Sequence, residues 1–79
     1  MFYVYILRSI SYPAKTYTGY TTNLKERFAE HNHGKSVHTA KYMPWGLEVY
    51  FGFKEEAKAR AFEKYLKSGS GRVFSKNHF

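Results

Sequence analysis

The sequence predicts an α+β domain: a three-stranded antiparallel sheet flanked by helices, in the order β-β-α-β-α with or without a last short helix. Three observations lead to this prediction. Two short runs rich in β-branched and aromatic residues open the chain, a third run alternates apolar and polar residues, and two other segments carry apolar residues at helical spacing. We expect all 79 residues to form one domain, because no linker or repeat divides them.

The first two apolar runs predict a β-hairpin. Phe2–Leu7 is continuous and apolar, as expected of a strand that is covered on both faces. Tyr12 and Pro13 mark a turn, and Thr16–Tyr20 is the second predicted strand. Because the connection between the two runs is short, the strands are expected to pair in antiparallel fashion.

The segment after the hairpin carries the signals of a helix. Asn23 is a good N-cap residue, and Glu26 follows three residues later, as in a capping box. Leu24 and Phe28 are four residues apart and therefore share a face. Gly34 is a natural stop, so a helix is predicted between Asn23 and Gly34.

The rest of the chain is predicted to form a loop, a strand and helices. Residues 34–46 are rich in Lys, His, Ser and Thr and predict a loop. Residues 47–53 have apolar side chains at the odd positions, which predicts a strand with one buried face. Residues 54–68 carry an apolar stripe and predict a helix. The Gly-Ser-Gly segment at 69–71 is expected to end that helix. Whether residues 72–79 form a further short helix is left open.

The composition is strongly basic. Thirteen Lys and Arg residues against six Glu give a formal net charge of +7. A polyanion is the expected partner, with nucleic acid ahead of an anionic membrane surface. No segment reaches membrane-spanning length, and the N-terminus does not have the pattern of a signal peptide. The absence of Cys suits a reducing compartment, and we expect a cytoplasmic location.

Five polar side chains within an otherwise core-like pattern are the candidate catalytic residues. They are Tyr5, Tyr17, Arg27, His31 and Glu63. Together they offer the hydroxyl, guanidinium, imidazole and carboxylate groups that phosphodiester chemistry uses. Each also has a plainer interpretation, because strand tyrosines usually pack, an isolated helical Arg usually faces solvent, and Glu63 can pair with Lys67 at i,i+4 spacing.

Three of these residues lie at the borders of apolar stripes, which favours the functional interpretation. Arg27 and His31 are four residues apart and share a helix face beside the predicted stripe. Glu63 lies between Phe62 and Leu66, past the middle of its helix. The helix dipole explains carboxylates in the first turn and does not explain this one.

Two further features are candidates for contact with a substrate. Gly19 interrupts the second strand and suggests the close approach of a backbone or a ligand, although a bend before the helix is the simpler explanation. The basic loop offers cationic and hydroxyl side chains suited to phosphates, with a solvated loop as the alternative. Its candidate nucleic-acid-binding residues are Lys35, His38, Thr39 and Lys41.

The number and spacing of the acidic residues indicate which kind of metal site the chain can form. The chain has no Asp and its Glu residues are scattered, so the converging carboxylates of a two-metal nuclease are not expected. A single Mg²⁺ or Mn²⁺ on one carboxylate, water and substrate phosphate is feasible, because Mg²⁺ is commonly bound in this way. The histidines do not form a convincing zinc set, since His31 and His33 face different sides of the helix.

Because of these motifs, the chain resembles the GIY-YIG endonuclease superfamily, particularly its small single-domain members. The resemblance covers essentially the whole chain. Tyr-Val-Tyr at 3–5 stands at the first tripeptide, and Tyr-Thr-Gly at 17–19 stands at the second. The helix with Arg27 and His31 follows, and Glu63 falls at the metal-binding position. The first Gly and both Ile of the family name are replaced here, at positions that are structural in the family, whereas both tyrosines are kept.

The resemblance implies metal-dependent hydrolysis of phosphodiester bonds in DNA by a domain covering residues 1–79. Glu63 would hold one Mg²⁺ or Mn²⁺, and Arg27 would neutralise the phosphoryl oxygens. Tyr5 would be the general base, with His31 or Tyr17 orienting the water or relaying its proton. His31 is the alternative base, because its ordinary pKa of about 6.5 suits neutral pH better than the value of about 10 for a free Tyr.

Two other functions stay open at this point. The basic surface and loop are also compatible with a nucleic-acid-binding module without catalysis, whose binding would be sensitive to salt and independent of metal. A weaker alternative is an interaction domain for an acidic protein. The sequence leaves open whether DNA or RNA is cut, which structure is selected, whether a partner protein supplies specificity, and the oligomeric state.

Overall fold

The computed structural model describes all 79 residues as three strands and four helices. The strands form one antiparallel sheet in the order β2-β1-β3, so the first strand is central. The predicted α+β class is confirmed, with a last helix present. In chain order the elements are β1 (Phe2–Ser9), β2 (Thr16–Thr21), α1 (Leu24–Asn32), α2 (Val37–Ala40), β3 (Trp45–Phe53), α3 (Glu56–Lys67) and α4 (Gly69–His78).

The central strand β1 is covered on both faces, as its continuous apolar run predicted. Val4 and Ile6 are buried with Ala59 and Leu66 of α3 in one cluster, against which side chains of α4 also pack. The alternate residues of β1 are buried with Trp45 in a second cluster, which α1 helps to cover. We call these two sides of the sheet the α3 face and the α1 face.

A register shift in β3 changes the face on which one predicted core residue lies. Ile6 pairs with Val49, whereas the next residue, Leu7, pairs with Leu47, so Glu48 is an extra residue in β3. Because side chains alternate between the faces of a strand, this shift places Leu47 on the α1 face. The side chain is 38% exposed there. The expectation of one uninterrupted apolar face along residues 47–53 is therefore wrong at Leu47.

The start of α1 follows the predicted capping pattern. The Oδ1 atom of Asn23 accepts the Glu26 backbone N–H at 3.1 Å, and the Asn23 amide donates to the Glu26 carboxylate at 3.1 Å. The helix ends at Asn32, two residues before Gly34, which has a φ of 73°. Glycine adopts this left-handed conformation without the strain that a Cβ atom would add, so Gly34 suits the turn that leaves α1.

The segment predicted as a plain loop contains the short helix α2 and is fixed to the end of α1. The Asn32 side chain accepts the Trp45 backbone N–H at 2.6 Å and donates to the Trp45 carbonyl at 3.0 Å. The Trp45 indole N–H donates to the Thr39 carbonyl at 2.8 Å. These long-range hydrogen bonds hold α2 against α1, and no local sequence pattern predicted them.

The Gly-Ser-Gly segment ends α3 as predicted, but it also belongs to α4, which begins at Gly69 instead of residue 72. The Ser68 hydroxyl caps α4 by accepting the Gly71 backbone N–H at 3.2 Å. A Cβ atom on Gly71 would overlap the Tyr65 carbonyl at the end of α3. The glycine is needed for close packing of two consecutive helices, which is why the expected helix breaker lies inside a helix. No helix of the protein combines the length and apolarity that crossing a membrane requires.

Candidate active site

The Tyr5 side chain lies across β2, directly over Gly19. The two residues are register partners in the β1–β2 pair. A Cβ atom at position 19 would overlap the Tyr5 hydroxyl and ring carbon, and it would also lie 3.0 Å from the Tyr17 ring. The group that comes close to Gly19 is thus a neighbouring side chain, where the sequence had suggested a backbone, a ligand or a bend.

His31 joins the Tyr5 hydroxyl to Thr39 in a buried chain of hydrogen bonds. The Nε2 atom of His31 lies 2.8 Å from the Tyr5 hydroxyl, and Nδ1 lies 2.7 Å from the Thr39 hydroxyl. His31 and Thr39 are fully buried, and Tyr5 is 1% exposed. With both ring nitrogens occupied, the imidazole is held in one orientation beneath the sheet surface.

The surroundings of His31 keep the imidazole neutral at physiological pH. Burial lowers the pKa of His31 below its ordinary value of 6.5, and the nearby positive charge of Arg27 lowers it further, while Glu30 opposes these effects. A neutral imidazole carries one N–H and one free lone pair. When Nδ1 carries the proton and donates it to Thr39, Nε2 is free to accept the hydrogen of the Tyr5 hydroxyl.

Burial also raises the pKa of Tyr5 to about 12. The nearby Arg27 guanidinium opposes this rise, and the charges of Tyr17 and Glu63 add to it. Near pH 7 the hydroxyl is therefore protonated in the free protein. This protonation state matters for the mechanism, because a tyrosinate would not be present before substrate binds.

Arg27 connects the buried chain to solvent. Its side chain is 35% exposed, and its guanidinium pairs with the Glu30 carboxylate at 3.1 Å, one helical turn along α1. Apart from the larger effect of burial, its charge acts to lower the pKa of both Tyr5 and His31. The sequence placed Arg27 and His31 at the edge of the apolar stripe of α1. In the structure the imidazole of His31 is buried, and the side chain of Arg27 is partly exposed.

Tyr17 and Glu63 approach the same site from the sheet edge. The Tyr17 ring centroid lies 5.0 Å from that of His31 and 6.4 Å from that of Tyr5. The Lys67 ammonium lies 5.8 Å from the Tyr17 ring centroid and 3.1 Å from the Glu63 carboxylate. Because β2 is an edge strand, the Lys67 side chain can extend from the α3 face to Tyr17 and so connects Glu63 with the site.

The basic loop separates into exposed and buried parts. Lys35, His38 and Lys41 are exposed, so their place is compatible with the predicted contact to nucleic acid. Thr39 is fully buried with its hydroxyl on His31, which leaves it unable to reach a ligand on the surface. For Thr39 the structure does not support the predicted nucleic-acid contact, because the residue belongs to the hydrogen-bonded chain below Tyr5.

Comparison with known proteins identifies the family. The model of the GIY-YIG catalytic domain matches residues 1–77. The chain belongs to the GIY-YIG family. UPF0213 proteins from Streptococcus pyogenes serotypes M3, M4 and M28 are each 39% identical to it over 72 residues, covering 89% of this chain and 75% of the relative. The suspected resemblance to small single-domain GIY-YIG proteins is confirmed.

Membership of the GIY-YIG family indicates a nuclease. The superfamily consists of endonucleases that act on nucleic acid and generally use a divalent metal ion. The structure brings Tyr5, Tyr17 and Gly19, the residues that the resemblance in sequence matches to the two tripeptides of the motif, together with Arg27 and His31 around one point of the sheet. The sequence motifs, far apart in the chain, form one cluster.

The metal-binding capacity of this GIY-YIG site rests on one carboxylate. No group of three or more His, Asp or Glu side chains converges anywhere in the protein. The Glu63 side chain is 20% exposed and has Lys67 as its only ion-pair partner. A hard oxygen donor at a solvent-accessible edge fits Mg²⁺ or Mn²⁺, which keep several waters and need few protein ligands. The residues present therefore fit a single ion and do not fit a two-metal site.

Sequence reasoning did not name Lys67 as a functional residue, and it assigned Thr39 to nucleic-acid contact instead of to the hydrogen-bonded chain. Lys67 stood out only as an i,i+4 partner of Glu63, and that spacing was the available signal for it. Thr39 was chosen for its place in a basic loop, and nothing in the spacing from His31 indicated a hydrogen bond between them. Its role depends on the fold of residues 34–46, which local patterns did not predict.

Proposed function

We propose that the chain is an endonuclease that hydrolyses phosphodiester bonds in DNA with one divalent cation held by Glu63. The observation that carries this proposal is the buried Tyr5–His31–Thr39 chain, which lies against Tyr17 and within the electrostatic influence of Arg27 and Glu63. The charge of +7 suits a nucleic-acid substrate.

The hydrogen-bond geometry favours Tyr5 as a relay, with His31 as the final proton acceptor. His31 is fully buried and Tyr5 is 1% exposed, so in this proposal the proton of a water held at the Tyr5 hydroxyl reaches His31 through that hydroxyl. The Tyr5 oxygen takes a proton from the water while its own proton passes to Nε2 of His31. This transfer never requires a free tyrosinate, whose formation the pKa of about 12 disfavours near neutral pH. It unites the two general bases that the sequence left as alternatives.

The remaining residues have distinct roles in this proposal. Thr39 accepts the Nδ1–H of His31 and so keeps Nε2 free for the Tyr5 proton. Arg27 donates hydrogen bonds from its guanidinium to the phosphoryl oxygens of the substrate. To do so, it must give up its ion pair with Glu30. Tyr17 covers the imidazole on the β2 side. A divalent cation bound to Glu63 would supply Lewis-acid stabilisation of the charge that develops at the scissile phosphate.

Replacement of Glu63 by Ala tests the proposed function most directly. Cleavage of labelled single-stranded, duplex, flap and branched DNA, and of RNA, is measured with Mg²⁺ or Mn²⁺. Wild type is expected to cut DNA, and Glu63→Ala is expected to lose at least about 10²-fold in rate, the scale on which removing one stabilising group acts. The variant should keep its circular dichroism spectrum, because Glu63 is at the edge of the core.

Glu55→Ala is the matched control for this experiment. Glu55 also lies at α3 and pairs with a lysine, Lys58, but it is 65% exposed at the start of the helix. It should retain wild-type cleavage. Equal rates for wild type and Glu63→Ala would contradict the metal-site assignment. Salt-sensitive binding of both proteins, without cleavage on any substrate with either metal, would favour the nucleic-acid-binding module instead.

A further inference from the structure

A basic groove runs beside the candidate active site, between α4 and the edge strand β2. Its volume is about 780 Å³. The walls are formed by the β1–β2 turn with the start of β2 on one side and by α4 on the other. Five cationic side chains line it: Arg8, Lys15, Lys67, Arg72 and Lys76. No carboxylate side chain is part of the lining.

Three of these cations have no carboxylate partner. Lys15, Arg72 and Lys76 are exposed, and none of them takes part in an ion pair. The Lys15 ammonium lies 5.4 Å from the Tyr42 ring centroid, a cation–π contact that it would exchange for a phosphate. Arg8 is held by structural contacts instead, since it pairs with Glu48 and donates to the Pro13 and Phe79 carbonyls. Three like charges on facing walls repel one another in the absence of an anion, so the groove favours a phosphate chain as its occupant.

The floor of the groove is apolar, which favours a single strand over a duplex as the bound nucleic acid. It includes Ile6, Leu66 and the ring of Phe79, with Tyr17 at one side. A duplex presents phosphates outward and keeps its bases stacked inside, so it would leave this floor without a partner. An unpaired strand exposes base faces as well as phosphates, and it binds well where cations border aromatic and apolar side chains.

The groove is continuous with the candidate active site through two residues. Tyr17 and Lys67 line the groove, and the same two side chains contact the site, where the Tyr17 ring lies beside His31 and Lys67 pairs with Glu63. A strand whose phosphate lies at Glu63 therefore continues into the groove without crossing another element of the fold.

We propose that this groove binds the unpaired strand adjacent to the cleaved bond, with Lys15, Arg72 and Lys76 contacting its phosphates. The inference rests on the proposed function for the identity of the cleaved bond. It specifies the substrate class, namely nucleic acid with a single-stranded arm beside the scissile phosphate. It also gives α4, which lies outside the catalytic cluster, a role in substrate binding.

Binding of a short fluorescein-labelled oligothymidylate, measured by fluorescence anisotropy in EDTA over a range of salt concentrations, tests the proposal. Lys15→Ala, Arg72→Ala and Lys76→Ala should each weaken binding several-fold. Each should also reduce the slope of log K against log salt by about 0.7, the value for one phosphate contact on a single strand. Lys76→Arg should restore most of the affinity, since it keeps the charge. A hairpin duplex should bind more weakly and respond less to these substitutions.

Lys58→Ala is the control, because it removes the same charge from the exposed start of α3, outside the groove lining. It should leave affinity and salt slope close to those of wild type. Groove variants that behave like Lys58→Ala would overturn the proposal, and so would tighter binding of the duplex through the same residues. All three groove residues are exposed, so circular dichroism should show folded variants.

The cleavage assay separates this proposal from the proposed function. If wild type cuts DNA and the groove variants bind and cut like wild type, the groove assignment fails and the nuclease stands. If the groove variants lose binding while wild type cuts no substrate, the groove stands and the nuclease fails. If both proposals hold, the groove variants cut single-stranded arms with a raised KM and a nearly unchanged kcat, because their charges are not at the reacting atoms.

Discussion

The two faces of the sheet differ in what they bury, although the same strand supplies both. On the α3 face, Val4 and Ile6 pack against Ala59 and Leu66 in a wholly apolar cluster. On the α1 face, the next residue of the strand, Tyr5, is equally buried but is hydrogen-bonded to a polar chain. One side of β1 thus stabilises the fold, and the other carries the candidate chemistry.

The comparison shows how a small domain separates stability from function. Burial of apolar area on the α3 face contributes stability that does not depend on orientation. On the α1 face the buried groups must keep their hydrogen bonds, because an unpaired buried polar atom costs about 1–3 kcal/mol. His31 and Thr39 meet this condition by bonding to each other and to Tyr5. Substitutions on the two faces should therefore have different consequences.

Gly19→Ala should have the largest effect on the α1 face. The new Cβ atom would overlap the Tyr5 hydroxyl and displace it from His31. We expect a loss of cleavage of about 10²-fold or more, the contribution of one positioned acid–base group. The measurement is the single-turnover cleavage rate, with circular dichroism as a check of folding.

Gly46→Ala is the matched control for that substitution. Gly46 also lies in a strand of the sheet, but the atom nearest to a Cβ added there would be the Arg8 carbonyl oxygen at 3.8 Å, an ordinary contact. It should retain activity close to wild type. If Gly19→Ala cuts at the wild-type rate, the position of the Tyr5 hydroxyl over β2 is not needed for the reaction.

Leu66→Ala, on the α3 face, should lower the stability of the fold and leave the chemical step of cleavage nearly unchanged. Removing a large side chain that is 2% exposed should lower the free energy of unfolding by about 2–5 kcal/mol. The fraction that remains folded should keep nearly the wild-type kcat, because Leu66 lies outside the Tyr5–His31–Thr39 chain, although the loss of a groove-floor side chain should raise KM. Urea titration gives the stability, and cleavage well below the melting temperature gives the rate per folded molecule. A large loss of rate in folded protein would show that the two faces are coupled.

A decrease in pH should change the cleavage of DNA less than the substitutions above change activity or stability. The change should arise from His31 on the α1 face. The pKa of His31 lies below 6.5, so the relay is intact at neutral pH. As pH falls through that lowered value, His31 becomes protonated and Nε2 can no longer accept the Tyr5 proton, so the rate should decrease. His33→Gln, a change at an exposed residue of the same segment, should keep the profile. An acid limb with its midpoint above 6.5 would contradict the assignment.

The same titration affects stability, with a definite sign. Because the pKa of His31 is lower in the folded state, the unfolded chain binds a proton first as pH falls below 6.5. The stability that depends on neutral His31 is complete above that value. It is lost between pH 6.5 and the lowered pKa, so wild type should lose more stability across this interval than a His31→Gln variant does.

The parts of the fold that follow local rules could be predicted. Cap residues, the i,i+4 pair Leu24 and Phe28, and the apolar run of β1 all act over a few residues, and the elements appeared where these signals stood. The deviations have long-range causes. The bulge that moves Leu47 to the other face depends on pairing with β1, and the start of α4 depends on close packing of Gly71 against α3.

The sequence by itself determined the class of fold, the basic character and the list of candidate groups, because composition, spacing and capping are local properties of the chain. It could not determine which of those groups meet. The bond between Tyr5 and His31 spans 26 positions, Thr39 is brought beneath them by the segment that α2 and Trp45 fix, and the groove exists only where α4 comes beside β2. These distances are set by strand register and helix packing, which depend on the whole domain at once, so only the tertiary structure decided them.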